Sequence, residues 1–141
     1  MTTPAHRQDA ALRLMAAGGR LSESLLQNNA GIVYATKRLA AEMKATAAAW
    51  EIDVNWTLPK IKSGHRASLF DAVACVAQNT CEILNHTARA DSYDYTAEAL
   101  SGTRKRVQSA LQHALTNLSV ICTQLKITAV FEAVGQMQIQ F

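Results

Sequence analysis

Cysteine, proline and glycine are all scarce in this 141-residue chain. Each scarcity removes a class of structure. The three cysteines, Cys75, Cys81 and Cys122, form an odd set with no C-x-x-C pair. That argues against a disulfide framework or a zinc site, and for a reducing compartment. With two prolines and six glycines against abundant alanine, little interrupts long helices. No apolar run approaches the length of a membrane span, so no membrane partner is expected. The opening MTTPAHRQDAALRLMAAGG carries only a short, broken apolar stretch and does not read as a signal peptide, which suits a cytosolic product.

What remains is ordinary soluble-globular material, 49% hydrophobic and 18% charged. Residues 1–141 suffice for a single domain with one core. The net charge of +3 suits a polyanion partner without requiring one.

Periodicity then divides the chain. A first segment, Pro4 to about Asn28, meets Gly18-Gly19, where two helical pieces are expected because glycine is costly inside a helix. QNNAG at 27–31 supplies a stop and a turn. Ile32, Thr36, Leu39, Met43, Thr46 and Trp50 step 4-3-4-3-4 along a second helix. Ile52, Val54, Trp56 and Leu58 then alternate with polar residues up to Pro59, which predicts a short strand. Leu69, Val73, Val76, Thr80 and Ile83 mark a third helix, on which Cys75 and Cys81 are expected to act as small core residues. Leu100, Val107, Leu111, Ala114, Leu118, Ile121 and Leu125 mark a fourth, opening at Thr96 as N-cap and spanning about 40 Å. The end, ITAVFEAVGQMQIQF, reads as strand or loose helix. The expected fold is all-α, an antiparallel four-helix bundle with a short strand segment between helices two and three.

Catalytic chemistry finds no foothold. His6, His65, His86 and His113 are scattered, and no Glu-x-x-His motif of a di-iron bundle occurs. Glu82 and His86 lie four apart, half a metal site at most and more simply an i,i+4 surface pair. SGHRAS at 63–68 lacks the strand-and-elbow setting of a nucleophile. No enzyme, metal or cofactor is expected.

The cations are better organised. KIKSGHR brings Lys60, Lys62 and Arg66 around one loop. Lys37 and Arg38 lie early in helix two, Arg89 ends helix three, and Arg104, Lys105 and Arg106 stand side by side near the start of helix four. If the bundle runs up-down-up-down, helices two and four are parallel, and these last six cations gather at one pole. A solvated, charged bundle end accounts for the same residues.

The order of motifs resembles the coat proteins of rod-shaped plant RNA viruses of the tobacco mosaic virus type. VNWTLP, Val54 to Pro59, is similar to that family's Val-x-Val-Arg-Phe-Pro strand after a tryptophan. SLFDAVACVA, Ser68 to Ala77, resembles its Val-Leu-Asp-Pro-Leu-Val opening of the third helix. TAEALSGTRKRV, Thr96 to Val107, resembles Thr-Ala-Glu-Thr-Leu-x-Ala-Thr-Arg-Arg-Val, and ALTNL resembles Ala-Ile-Asn-Asn-Leu. Phe131-Glu132 stands where the family has a Phe-Glu pair.

The resemblance covers roughly residues 20 to 135 and implies a capsid subunit that self-assembles into a helical rod around single-stranded RNA. Its locations would be the virion and the host cytoplasm. Lys37, Arg38, Arg89, Arg104, Lys105 and Arg106 would then meet phosphates without sequence preference. Asp71 and Glu98 match positions where the family sets carboxylates across subunit boundaries, with Asp91 and Asp94 as candidate partners for Glu98. Plain first-turn roles with the helix dipole fit Asp71 and Glu98 equally well. A second class, a helical interaction module such as a bacterial secretion chaperone or secreted filament subunit without nucleic acid, explains the alanine-rich helices and the apolar tail.

Overall fold

The structure, a computed structural model, describes residues 3–61, 68–92, 97–128 and 130–131, with the backbone alone at 91, 92 and 97. Four helices carry the described chain: α1 Pro4–Leu26, α2 Ile32–Ala49, α3 Leu69–Ser92 and α4 Ala97–Leu125. Among the described residues no strand forms. The Thr96 cap, the loop at 62–67 and the tail from Glu132 onward lie outside them.

Local chemistry sets the helix ends. The Thr3 hydroxyl accepts from the His6 N–H at 3.1 Å, with Pro4 at the first helical position. The Ser68 hydroxyl accepts from the Asp71 N–H at 3.0 Å and opens α3. Helix α2 closes in a Schellman motif: the Ile52 N–H reaches Ala47 O at 2.8 Å and the Glu51 N–H reaches Ala48 O at 3.1 Å. Glu51 takes the left-handed φ of 55° that this motif demands. The same motif recurs after α4, with Lys126 at φ 57° and the Ile127 N–H on Cys122 O at 2.9 Å.

Helix α1 packs against α2 and α3, α4 packs against α3, and α4 meets α2 more lightly. The pairings run antiparallel. Thr46 donates to Ala10 O across α1 and α2, and Asn117 Nδ2 donates to Asn79 Oδ1 at 3.0 Å across α3 and α4. Arg104, two turns into α4, donates to the carbonyl of Trp50 at the end of α2. The end of α2 therefore lies at the pole where α4 begins. This corrects the expected up-down-up-down order with α2 and α4 parallel.

The segment after α2 is the reason. Ile52, Val54, Trp56, Leu58 and Ile61 run beside the bundle and pack on the core, and the Ser119 hydroxyl donates to Pro59 O. About ten extended residues cover roughly 33 Å, more than the roughly 27 Å length of α2. The chain thus returns to its starting pole before α3 begins. Alternation of burial along this segment is real, with Asp53, Asn55 and Thr57 exposed. Without a paired neighbour strand it forms no ladder, so the expected strand is instead an extended crossover. Phe131 fastens it, its ring centroid 5.3 Å from that of Trp56.

The core is one cluster fed by all four helices, with Leu14, Leu21, Leu39, Met43, Trp50, Val76, Ile83, Leu111, Leu118 and Ile121 fully buried. Thr36, Thr46, Thr80 and Thr87 are buried too, each hydroxyl returned to a carbonyl of its own helix. Cys122 is buried, whereas Cys75 and Cys81 are exposed, which corrects the expectation for those two. The buried stripe of α3 runs through Ala72, Val73, Val76, Thr80 and Ile83, and both thiols fall to either side of it.

Helix α1 runs unbroken through Gly18-Gly19, against the expected division into two pieces. Gly18 is buried at the contact with α3, where an added Cβ would stand 3.0 Å from Thr80 Oγ1. Close approach of two helices, not a break, is what that glycine provides. Gly19 faces open space. Gly19→Ala should therefore raise stability by about 1 kcal/mol in urea unfolding. Gly18→Ala should gain less than that or lose stability, and Thr80→Ala in the same chain should restore the gain. Equal effects at the two glycines would refute the close approach.

Candidate nucleic-acid interface

Successive residues of a helix diverge by 100°. Arg104, Lys105 and Arg106 accordingly face three ways. Arg104 turns toward α2, where its Nε donates to Trp50 O at 2.9 Å. That carbonyl is one of those left unpaired at a helix C-terminus, and a cation there also complements the helix dipole. Lys105 is exposed. Arg106 turns toward α3 and lines a cleft of about 540 Å³ between the end of α3 and the start of α4.

The cleft brings Arg89, His86 and Arg106 together, with Glu98 also on its wall. Its lining between these charges is small: Ala90, Ala99 and Gly102. An added Cβ at Gly102 would stand 3.9 Å from Arg106 Nη1, so this guanidinium lies back along its own helix. Burial holds the His86 imidazole below its ordinary pKa of 6.5, and the Arg106 charge adds to this. Glu82 opposes the shift and Arg89 reinforces it. Near neutral pH the cleft thus holds two guanidinium groups and the Glu98 carboxylate beside one neutral imidazole.

At the same pole, the Arg7 guanidinium lies over the Trp50 ring, 5.1 Å from its centroid. Arg7 is buried, and nothing in its sequence context signals that. His86 was legible only as the i,i+4 partner of Glu82. Its spacing of three from Arg89 is the signal that places the two on one face.

The other sequence-predicted cations lie elsewhere. Lys37 and Arg38 precede Trp50 by twelve residues or more, about 18 Å along α2, and do not join the cluster. Their expected gathering with Arg89 and Arg104 to Arg106 is corrected by the direction of α2. Arg38 pairs with Glu42 at 3.0 Å and shares a notch with Arg13 and Arg20 between α1 and α2. Lys60 is exposed on the crossover, while Lys62 and Arg66 lie outside the described residues.

Of the carboxylates, Asp71 is exposed in the first turn of α3 and Glu98 in the first turn of α4. These turns stand at opposite poles, since α3 and α4 are antiparallel. Asp94 and the side chain of Asp91 lie outside the described residues. Among the described residues no group of three or more His, Cys, Asp or Glu side chains could hold a metal, and no helix is long and apolar enough to cross a membrane.

Comparison with protein families, with characterised proteins and with solved structures finds no match for this chain.

Arg104→Ala should cost about 1–2 kcal/mol in urea unfolding, because it strips a charged donor from a partly buried carbonyl. Arg106→Gln, at an exposed position, should stay within about 0.5 kcal/mol. By NMR titration His86 should protonate below 6.5, and Arg106→Gln should move its midpoint upward. Because the folded state holds this proton less tightly than the unfolded chain does, stability from this group is complete above pH 6.5. It falls as pH drops through and below that value.

Proposed function

We propose that the chain is a capsid subunit that self-assembles into a helical rod around single-stranded RNA. The observation that supports this reading best is the convergence of Arg89, Lys105 and Arg106 at one pole, beside a cleft wide enough for a phosphate group. Cations on two helices, facing different directions, suit a strand that runs across the end of the bundle. Such contacts give affinity without reading bases, as packaging of a whole genome requires. Arg104 divides its role, closing α2 through Trp50 O at the same pole. The order of motifs shared with rod-shaped plant virus coat proteins is the second support.

The opposite pole suits contacts between copies. Phe70 is 61% exposed at the start of α3 and Leu26 is 77% exposed at the end of α1, while Val33 and Tyr34 open α2. Asp71 and Glu98 stand a whole helix length apart, so their carboxylates can approach only across a subunit boundary. In that setting two close carboxylates would couple assembly to pH. The exposed apolar residues equally favour a second reading, a helical protein-interaction module without nucleic acid.

The test is direct. Purified particles should appear as rods of uniform diameter in negative stain and should carry nuclease-protected RNA by absorbance ratio. Binding of a single-stranded RNA oligomer should weaken steeply with salt. The Lys105→Gln/Arg106→Gln chain should remain folded while its salt slope drops by roughly 1.4, two phosphate contacts' worth. Unchanged packaging by that variant at moderate salt overturns the RNA assignment. Small discrete particles without nucleic acid favour the interaction module.

A further inference from the structure

Resting on the RNA-binding reading of this pole, we infer that the α3–α4 cleft is a proton-linked phosphate seat: one phosphate group sits among Arg89, Arg106 and the His86 imidazole, and His86 takes up a proton as it binds. The geometry begins with the cavity. About 540 Å³ of space is bounded by two arginines from different helices, and the small side chains of Ala90 and Ala99 and the bare Gly102 leave room for a tetrahedral anion. Arg89 and Arg106 remain cationic at every accessible pH. His86 is the lining residue whose charge changes near neutrality.

Burial is the largest influence on His86, and the charges facing it come next. From its own helix Glu82 favours the imidazolium and Arg89 opposes it. From α4, Arg106 opposes it, and Glu98 also lines the cleft. Among the described residues, no charge on α1, the remaining helix packed against α3, is among the causes of the shift. Partial burial, and after it the Arg106 and Arg89 charges against Glu82, therefore hold the imidazole's pKa below its ordinary value. A phosphate between the arginines offsets their positive field and supplies an acceptor for an imidazolium N–H. Ligand and proton then favour one another, and by linkage each raises the affinity for the other by the same factor. Affinity for a polyanion should rise as pH falls through the range in which His86 takes up its proton. The step takes one proton from solvent and forms one N–H bond at a ring nitrogen; no other covalent bond changes.

This regulation differs in site, though not in sign, from the carboxylate coupling at subunit boundaries. There, acid relieves repulsion between copies. Here it adds a third cation to a seat inside one subunit. A particle that packages in mildly acidic surroundings and releases its RNA as pH rises would use both in the same direction.

The experiment uses the full chain with two probes. The first is inorganic sulfate, whose charge is constant between pH 5.5 and 7.5, followed by NMR of the His86 ring. Saturating sulfate should raise the His86 midpoint, and Arg106→Gln should abolish that rise. The second is a uridine oligonucleotide at fixed salt. Its affinity should increase about fivefold to tenfold from pH 7.5 to 5.5 in the parent chain, stay flat in His86→Gln, and be high at both pH values in His86→Arg. If sulfate leaves the His86 midpoint unmoved, or if His86→Gln keeps the parent's pH dependence, the seat is refuted. The two readings fail separately. A sulfate response with no RNA packaging at any pH leaves the seat standing and removes the capsid function. Packaging indifferent to His86 does the reverse.

Discussion

The junction at Trp50 is the constraint on which the rest of the molecule depends. Its side chain is among the largest fully buried in the protein, the Arg7 guanidinium covers its ring, and its carbonyl accepts from Arg104. One residue thereby ties the start of α1, the end of α2 and the second turn of α4. A buried aromatic of this size stabilises by several kcal/mol, and a charged donor on its carbonyl fixes which helix end it faces. This junction sets which end of α2 lies at the cationic pole.

Direction follows from it. Because α2 ends beside the beginning of α4, the chain must travel the length of the bundle again before α3 begins. The crossover does so in extended form, burying Val54 fully and Ile52, Trp56 and Leu58 in part. It fills the flank where α2 and α4 meet only lightly, and Phe131 packs against Trp56 to hold it there. On the far side Gly18 lets α1 approach α3 closely at Thr80. One long connection and one missing side chain thus determine which helices are neighbours.

Within that frame three adjacent cations take three tasks. Arg104 completes a helix terminus, Lys105 faces solvent, and Arg106 joins Arg89 around His86. A run that looks self-repelling along the sequence is reasonable in space, because the helix separates the charges and each meets a different environment. Neutral His86 relieves the crowding further at neutral pH. The same run therefore serves the fold through Arg104 and leaves Lys105 in solvent and Arg106 in the cleft.

The sequence by itself determined the four helices, most of their buried faces and the alternation of burial along the crossover. These depend on local periodicity: the stripe of Ile32, Leu39, Met43 and Trp50 is written at 3.6-residue spacing whatever its partners are. It also placed Arg89 with Arg106, because the end of one helix and the start of the next are joined by a short connection. Only the tertiary structure decided that α1 continues through its two glycines, that Cys75 and Cys81 face outward, and that alternation after Trp50 signifies a crossover and not a strand. It alone separated Lys37 and Arg38 from the cationic pole, and brought Arg7 onto Trp50. Each of these turns on which helix lies beside which and in what sense it runs, and that is settled by long-range packing that no local pattern encodes.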